Sequence, residues 1–336
     1  MLKPLHTLAL AGLLWSLPGC AHNVQLASLA GANAIDGKTP TIPGLELCGT
    51  LKLPSQWPAD SLASGQPLGG LSALAWDDDE QSLWLISDRG RLHQTRPLFD
   101  DGQLIDLAVI SSHTLKDSSG QPLTGGDGDA EAVVLDNAED GERGNTALLI
   151  AFERDHRLQS FTTEGYPNGD ALHPSEAQRA GQTGSGNNRG MEAMTQLPDL
   201  GVLIGLESPP PGSDAKVTRL FSLDGRHQWG YPLADATGSS LTDMAPWPDT
   251  PDTLLTLERA YAPPHPLVIT LKRTQLLAPP DVNTTTVASL SSADGWRLDN
   301  MEGLAALPDG SFLMLSDNNF SRLQRSLLAC LRPETQ

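Results

Sequence analysis

The feature that most restricts the fold of this chain is a pattern that returns five times in the same order. Each copy is an apolar run that opens on a small or acidic residue, then a turn, then a second apolar run that ends in an acid. The copies are LSALAWDDDEQSLWLISDR from Leu71, AEAVVLD with NTALLIAFER from Ala130, MEAMTQLPDLGVLIGLES from Met191, LTDMAPWPDTPDTLLTLER from Leu241 and MEGLAALPDGSFLMLSDN from Met301. They start roughly 50 to 60 residues apart, and stranded units of that size are the blades of a β-propeller. Further apolar runs follow each pair: HRLQSFTT, KVTRLFSLD and HPLVITLKR in third place, LIDLAVIS and TTTVASLS in fourth. All are short, rich in Leu, Val and Ile, and bounded by Gly, Pro, Asp and Asn. The reading is all-β, a propeller of four-stranded blades.

The last copy stops after its third run, LQRSLLACL, while the first run of the domain, LELCGTLKL, belongs to no copy. The N-terminal strand is therefore expected to complete the final blade and close the ring. Cys48 and Cys330 lie in these two runs, so a disulfide between them would clamp the seam. Closing nearly the whole domain as one loop stabilises by as much as about 4 to 5 kcal/mol in the chain-entropy model. Counting copies gives five blades. A degenerate sixth would have to lie between Phe99 and Gly128 or between Gly165 and Gly190.

Ahead of the domain, Lys3 precedes an apolar run from Leu8 to Leu17 that is too short to span a bilayer and reads as a signal peptide. It ends in Leu17-Pro18-Gly19-Cys20, which resembles the lipobox of bacterial lipoproteins, although Pro18 departs from the commonest pattern. That resemblance implies lipid on Cys20, a firm anchor. Ala21, in place of an Asp, implies the outer rather than the inner membrane of a bacterial envelope. Residues 1–19 thus read as the signal peptide, 20–43 as lipid anchor and flexible tether, and 44–336 as the propeller domain.

Charge narrows the ligands. With 22 Lys plus Arg against 41 Asp plus Glu, the formal net charge of -19 excludes nucleic acid as a partner, because phosphate backbones need a basic face. It points to cations or cationic groups, or serves only solubility.

In a propeller the first strand of each blade lines the central channel and the second runs antiparallel beside it. The acids opening the first strands, Glu131, Glu192 and Glu302, with Ser72 and Thr242 in the equivalent places, should lie beside those ending the second strands. The latter are Asp88, Glu153, Glu207, Glu258 and Asp317. So many carboxylates at one end of the channel raise one another's pKa values unless cations sit among them. Arg89, Arg154 and Arg259, which directly follow three of these acids, are one source of positive charge, and a bound hard cation is another. Oxygen donors without paired histidines or thiols favour Ca²⁺ over zinc or copper. The alternative is a structural ion-pair network that pins neighbouring blades. Gly125-Gly126-Asp127-Gly128-Asp129, Gly186-Asn187-Asn188-Arg189-Gly190 and Asp317-Asn318-Asn319 read as rim segments of the same opening. The chain has no Gly-x-Ser-x-Gly elbow, Walker loop or dinucleotide fingerprint.

Taken in order, GLSALAWD…LISDRG, DAEAVVLD…IAFERDHR, GMEAM…LIGLES, LTDM…LLTLERAY and NMEGLAALPDG…LSDNNF resemble the bacterial phytase-like family, also called esterase-like activity of phytase. The resemblance implies a propeller in secreted or envelope proteins that hydrolyses phosphate or carboxylate esters. The expectation is a Ca²⁺ held by Asp88, Glu131, Glu153, Glu192, Glu207, Glu258, Glu302 and Asp317, with Glu192 and Glu302 as candidate catalytic groups. Arg89, Arg154, Arg259 and Asn318 would contact a small ester or phosphoester substrate. Lactone hydrolysis is a related alternative. The rival from another class is a non-catalytic propeller lipoprotein that binds an envelope protein or ligand.

Overall fold

The structure, a computed structural model, describes residues 24–30, 42, 44–154, 156–174, 190–209 and 216–334. Cys20, the signal peptide and the Asn187-Asn188 rim segment lie outside the described residues.

The described residues form five blades. The first is Leu71–Asp77, Ser82–Ser87, Arg91–Asp100 and Gln103–Thr114. The second is Ala130–Asp136, Ala147–Phe152 and Arg157–Thr162, with isolated bridges to Pro167 and Leu172 in the fourth place. The third is Met191–Leu197, Gly201–Leu206, Val217–Ser222 and Gln228–Pro232, and the fourth Ser239–Pro246, Thr253–Ala260, Val268–Leu276 and Val282–Ser291. The inner strands meet their neighbours in ring order, and the fifth closes onto the first.

The second strands explain why these blades stack. In Ser82–Ser87, Leu83 and Leu85 join an apolar cluster with Leu313, Leu315 and Leu328 of the fifth blade. On the opposite face Trp84 and Ile86 pack with Val133, Leu148 and Ile150 of the second blade. A strand buried on both faces reads as a continuous apolar run, and that is how these strands appear in sequence.

The fifth blade is built as its cysteines and missing strand imply. Asn300–Ala306, Phe312–Asp317 and Leu327–Pro333 are completed by Leu45–Lys52, antiparallel to the third of them. Cys48 and Cys330 are disulfide-bonded across this seam with Cα atoms 4.8 Å apart, and both are fully buried.

The tether expected over residues 20–43 is corrected in part, because Val24 to Ala30 docks on the propeller. Gln25–Leu26 pairs with Leu51 and Lys52 as a fifth strand. Ala27 N–H donates to the Thr50 carbonyl at 2.8 Å, and Leu29 is fully buried among Leu45, Leu271 and Leu298. Burial of Val24, Leu29 and Ala30 and a short ladder hold the segment where the sequence shows no apolar period.

Candidate functional site

Every inner strand carries a β-bulge at the same place. The register against the second strand shifts between Leu71 and Ala73, Ala130 and Ala132, Met191 and Ala193, Leu241 and Asp243, and Met301 and Gly303. The extra residues are Ser72, Glu131, Glu192, Thr242 and Glu302. A bulge turns one side chain out of the ladder's alternation. Two of the five are hydroxyls that tie blades together: Ser72 donates to the Ala130 carbonyl at 2.5 Å and Thr242 to the Met301 carbonyl at 3.2 Å. The other three are the acids of the channel mouth.

The residue before each bulge faces Ser87, Phe152, Leu206, Glu258 or Ser316, so the next residue of the second strand stands at the mouth. In four blades it is Asp88, Glu153, Glu207 or Asp317. In the fourth blade it is Arg259. Glu258, expected among the mouth acids, is one residue short of it and fully buried inside its own blade. There it meets Lys272 Nζ at 2.6 Å, accepts from Tyr231 Oη at 2.6 Å, and accepts from Ser239 Oγ and the Ala234 N–H at 2.7 Å each.

The mouth is a cavity of about 270 Å³ lined by Asp88, Asp129, Glu131, Glu153, Glu192, Glu207, Glu302 and Asp317, with Arg154, Arg259, Asn300 and Asn319. Seven of the eight metal-site acids expected from sequence meet here, and Asp129 joins them. The carboxylates of Asp129, Glu131 and Glu153 lie within 4.8 Å of one another. Arg154 Nε donates to Asp129 at 2.5 Å. Arg259 sits 3.9 Å from both Glu207 and Glu302 and hydrogen-bonds Asn300, which in turn donates to Glu302 at 2.6 Å. Gly70, at φ +59°, leaves room for the Asp88 carboxylate, which a Cβ at that position would strike.

Burial, reinforced by neighbouring carboxylates, pushes the acids upward. Asp88 and Glu153 are raised to about 7. Glu302 is raised to about 8 and Asp317 to about 6, the guanidinium of Arg259 lowering both. Glu131 and Glu192 are driven well above the usual carboxylate range by burial and by the acids around them. Among the described residues lining the mouth, eight carboxyl groups face two guanidiniums, so carboxyl crowding is relieved in part by proton binding.

Below the mouth the channel is closed. Asp243, the residue after the bulge in the fourth blade, replaces the Ala or Gly of the other four. Its buried carboxyl accepts from the backbone N–H of Met244 at 2.8 Å, of Leu304 at 2.6 Å and of Met194. Beneath it Leu74, Val133, Met194, Met244 and Leu304 form a buried apolar ring that opens into a funnel on the opposite face.

Two expected substrate contacts are placed differently. Arg89 is exposed and its guanidinium lies 3.5 Å from the centroid of the Phe320 ring, outside the mouth lining. Asn318 Oδ1 accepts the N–H groups of Gly70 at 3.1 Å and Phe320 at 3.0 Å, which fixes the turn. Its neighbour Asn319 lines the mouth instead. Asn300 had no motif to mark it. Asp129 was visible only as part of a Gly-Asp stretch.

A family model described as phytase-like, esterase-like activity of phytase, matches residues 66–320. The chain belongs to the phytase-like family. The matched span takes in every residue lining the mouth. No curated protein sequence matches this phytase-like chain. Among solved structures it is similar to a luciferin-regenerating enzyme, with 11% identity, TM-score 0.39, 80% of this chain and 93% of that chain covered. It is also similar to the RRP9 WD40 repeats, with 11% identity, TM-score 0.45, 92% of this chain and 99% of that chain covered.

Proposed function

We propose that this phytase-like propeller is a Ca²⁺-dependent hydrolase of carboxylate or phosphate esters, anchored in a bacterial envelope by lipid on Cys20. One observation carries the reading: among the described residues, eight carboxylates and two guanidiniums converge on one small cavity. The donor set fits a hard cation, since its ionisable donors are carboxylates, its neutral ones amide oxygens, and no imidazole or thiol lines it among the described residues. Asp129, Glu131 and Glu153 would hold it, with Glu192 next to Glu153. When bound, Ca²⁺ supplies a Lewis acid that polarises the ester and acidifies water.

The chain's own groups supply the rest. Glu192 and Glu302 project from bulges on rigid inner strands, and whichever of the two is ionised accepts the one proton of the attacking water. Arg259, held between Glu207 and Glu302, stabilises the negative charge that builds on the ester oxygen. Arg154 orients Asp129 through its Nε hydrogen bond.

The envelope location is supported by Lys3, the apolar run to Leu17 and Leu17-Pro18-Gly19-Cys20, with the outer membrane favoured by Ala21. Cys20→Ser would move the protein out of the membrane fraction. The hydrolase reading is tested with p-nitrophenyl acetate, p-nitrophenyl phosphate and phytate, each with Ca²⁺ and with EDTA. Turnover that needs Ca²⁺ and is lost in Glu192→Gln supports it. No turnover of any ester, with no Ca²⁺ effect on melting, overturns it and leaves the propeller as a binding protein.

A further inference from the structure

The docked segment Val24 to Ala30 fixes where the chain leaves the propeller. Gln25 pairs with Lys52, and Lys52 pairs with Leu327, whose N–H bonds Ser316 beside Asp317. Asp317 lines the mouth, so the chain leaves from the rim of the mouth face. Cys20 is four residues before Val24, a span of at most about 14 Å even when fully extended. A lipid on Cys20 would hold this face within roughly that distance of the bilayer.

The surface next to that exit suits such a neighbour. Leu323 is 95% exposed and Leu26 72% exposed, and Lys52 and Arg322 are exposed beside them. A cavity of about 540 Å³ joins Gln25 and Lys52 to Phe320 and Arg322, so the exit and the turn after Asp317 are one continuous surface. Apolar tips with cations on a chain of net charge -19 match the apolar and anionic character of a lipid surface. A second cavity, of about 610 Å³, runs from Leu323 past Leu267 and Leu298 to Arg259, Asn300 and Asn319, which also line the mouth.

We infer that the mouth face rests on an anionic lipid surface through Leu323, Arg322, Lys52 and Leu26, so that the ester site opens toward the membrane. The orientation rests on the lipid anchor proposed above; the lipid affinity of the patch does not. An ester drawn from the bilayer would reach Arg259 along the cleft behind Leu323 with its acyl chain against Leu267 and Leu298.

The test uses the full chain carrying Cys20→Ser, mixed with phosphatidylcholine vesicles with and without about 30% phosphatidylglycerol, Ca²⁺ present. In this background Leu323→Trp is expected to report a blue-shifted emission on anionic vesicles, and Gln196→Trp, on the opposite face, none. Leu323→Asp with Arg322→Glu should lower co-sedimentation with anionic vesicles at least tenfold, while Arg143→Glu on the far loop should not. Equal shifts at both tryptophans, or no anionic-lipid binding that these substitutions reduce, overturns the inference. Fractionation of the unaltered Cys20 chain and ester turnover are separate readouts, so loss of the anchor or of hydrolysis sinks the proposed function without touching this result.

Discussion

Arg259 occupies in the fourth blade the position that Asp317 occupies in the fifth, each following the residue that faces the last inner-strand position before the bulge. A ring that would otherwise be wholly acidic at this level therefore carries one guanidinium, 3.9 Å from the carboxylates of Glu207 and Glu302. Arg259→Gln should lower the melting temperature in EDTA at pH 8 by on the order of 5 °C. It should enlarge the stabilisation by Ca²⁺, because a cation then meets less positive charge. At pH 5, where the acids bind protons, the deficit should shrink. A melting curve lowered equally at both pH values would mean that Arg259 acts through packing and not charge.

Burial of the mouth acids sets a pH dependence, with the carboxylates around several of them adding to it. Asp317, Asp88, Glu153 and Glu302 have folded-state pKa values raised to about 6, 7, 7 and 8, above those of an unfolded chain. The folded state then binds more protons than the unfolded one, so stability falls as pH rises. This contribution is fully present below about pH 4 and is lost as pH climbs through 6 to 8. Melting in EDTA should therefore drop across that window, and Ca²⁺ should flatten the drop at its alkaline end. A metal-free profile that rises from pH 5 to 8 would rule out the raised carboxyls as the dominant groups.

The architecture was legible because it repeats. Five copies, a missing strand and two cysteines marked five blades and the seam, since each copy must bury the same apolar faces, and the five sheets leave no sixth blade among the described residues of the long connections. What failed turned on single residues. Glu153-Arg154 and Glu258-Arg259 are the same doublet in sequence, yet the pairing of Leu241 with Glu258 turns the second glutamate into the blade and sends Arg259 to the mouth. Asn318 and Asn319 are chemically identical neighbours, and only the turn at Phe320 decides which one bonds backbone. The docking of Val24 to Ala30 has no periodic signature because Val24, Leu29 and Ala30, at irregular spacing, are buried around two ladder residues.

Glu258 offers a way to separate blade chemistry from mouth chemistry. Its carboxylate is fully buried against Lys272 and Tyr231. Lys272→Met leaves that charge without its partner, which should cost about 3 to 5 kcal/mol in urea unfolding. The Ca²⁺-induced rise in melting temperature should stay as in the unaltered protein. A lost calcium response in a folded Lys272→Met protein would return Glu258 to the metal site.

The seam makes the last prediction. Cys48 follows Leu47 at a bulge against the third strand, and Gly49 there has φ +110° with its missing Cβ directed 2.5 Å from the Leu104 carbonyl oxygen. The disulfide thus holds a corner, where only glycine fits, of the N-terminal strand that completes the fifth blade. Replacing both cysteines with alanine should cost about 2 to 5 kcal/mol, because a cross-link of 282 residues no longer restrains the unfolded chain. The loss should be local first. Hydrogen exchange in Leu45–Lys52 and Gln25–Leu26 should rise before that of the inner strands, since without the bond the seam strand keeps one ladder to its blade, with Leu327–Pro333, and edge packing against the first blade. Gly49→Ala should loosen the same strand with the disulfide intact. Exchange that rises together in the seam and in the second blade would instead make the ring one cooperative unit, with the disulfide acting only on the unfolded state.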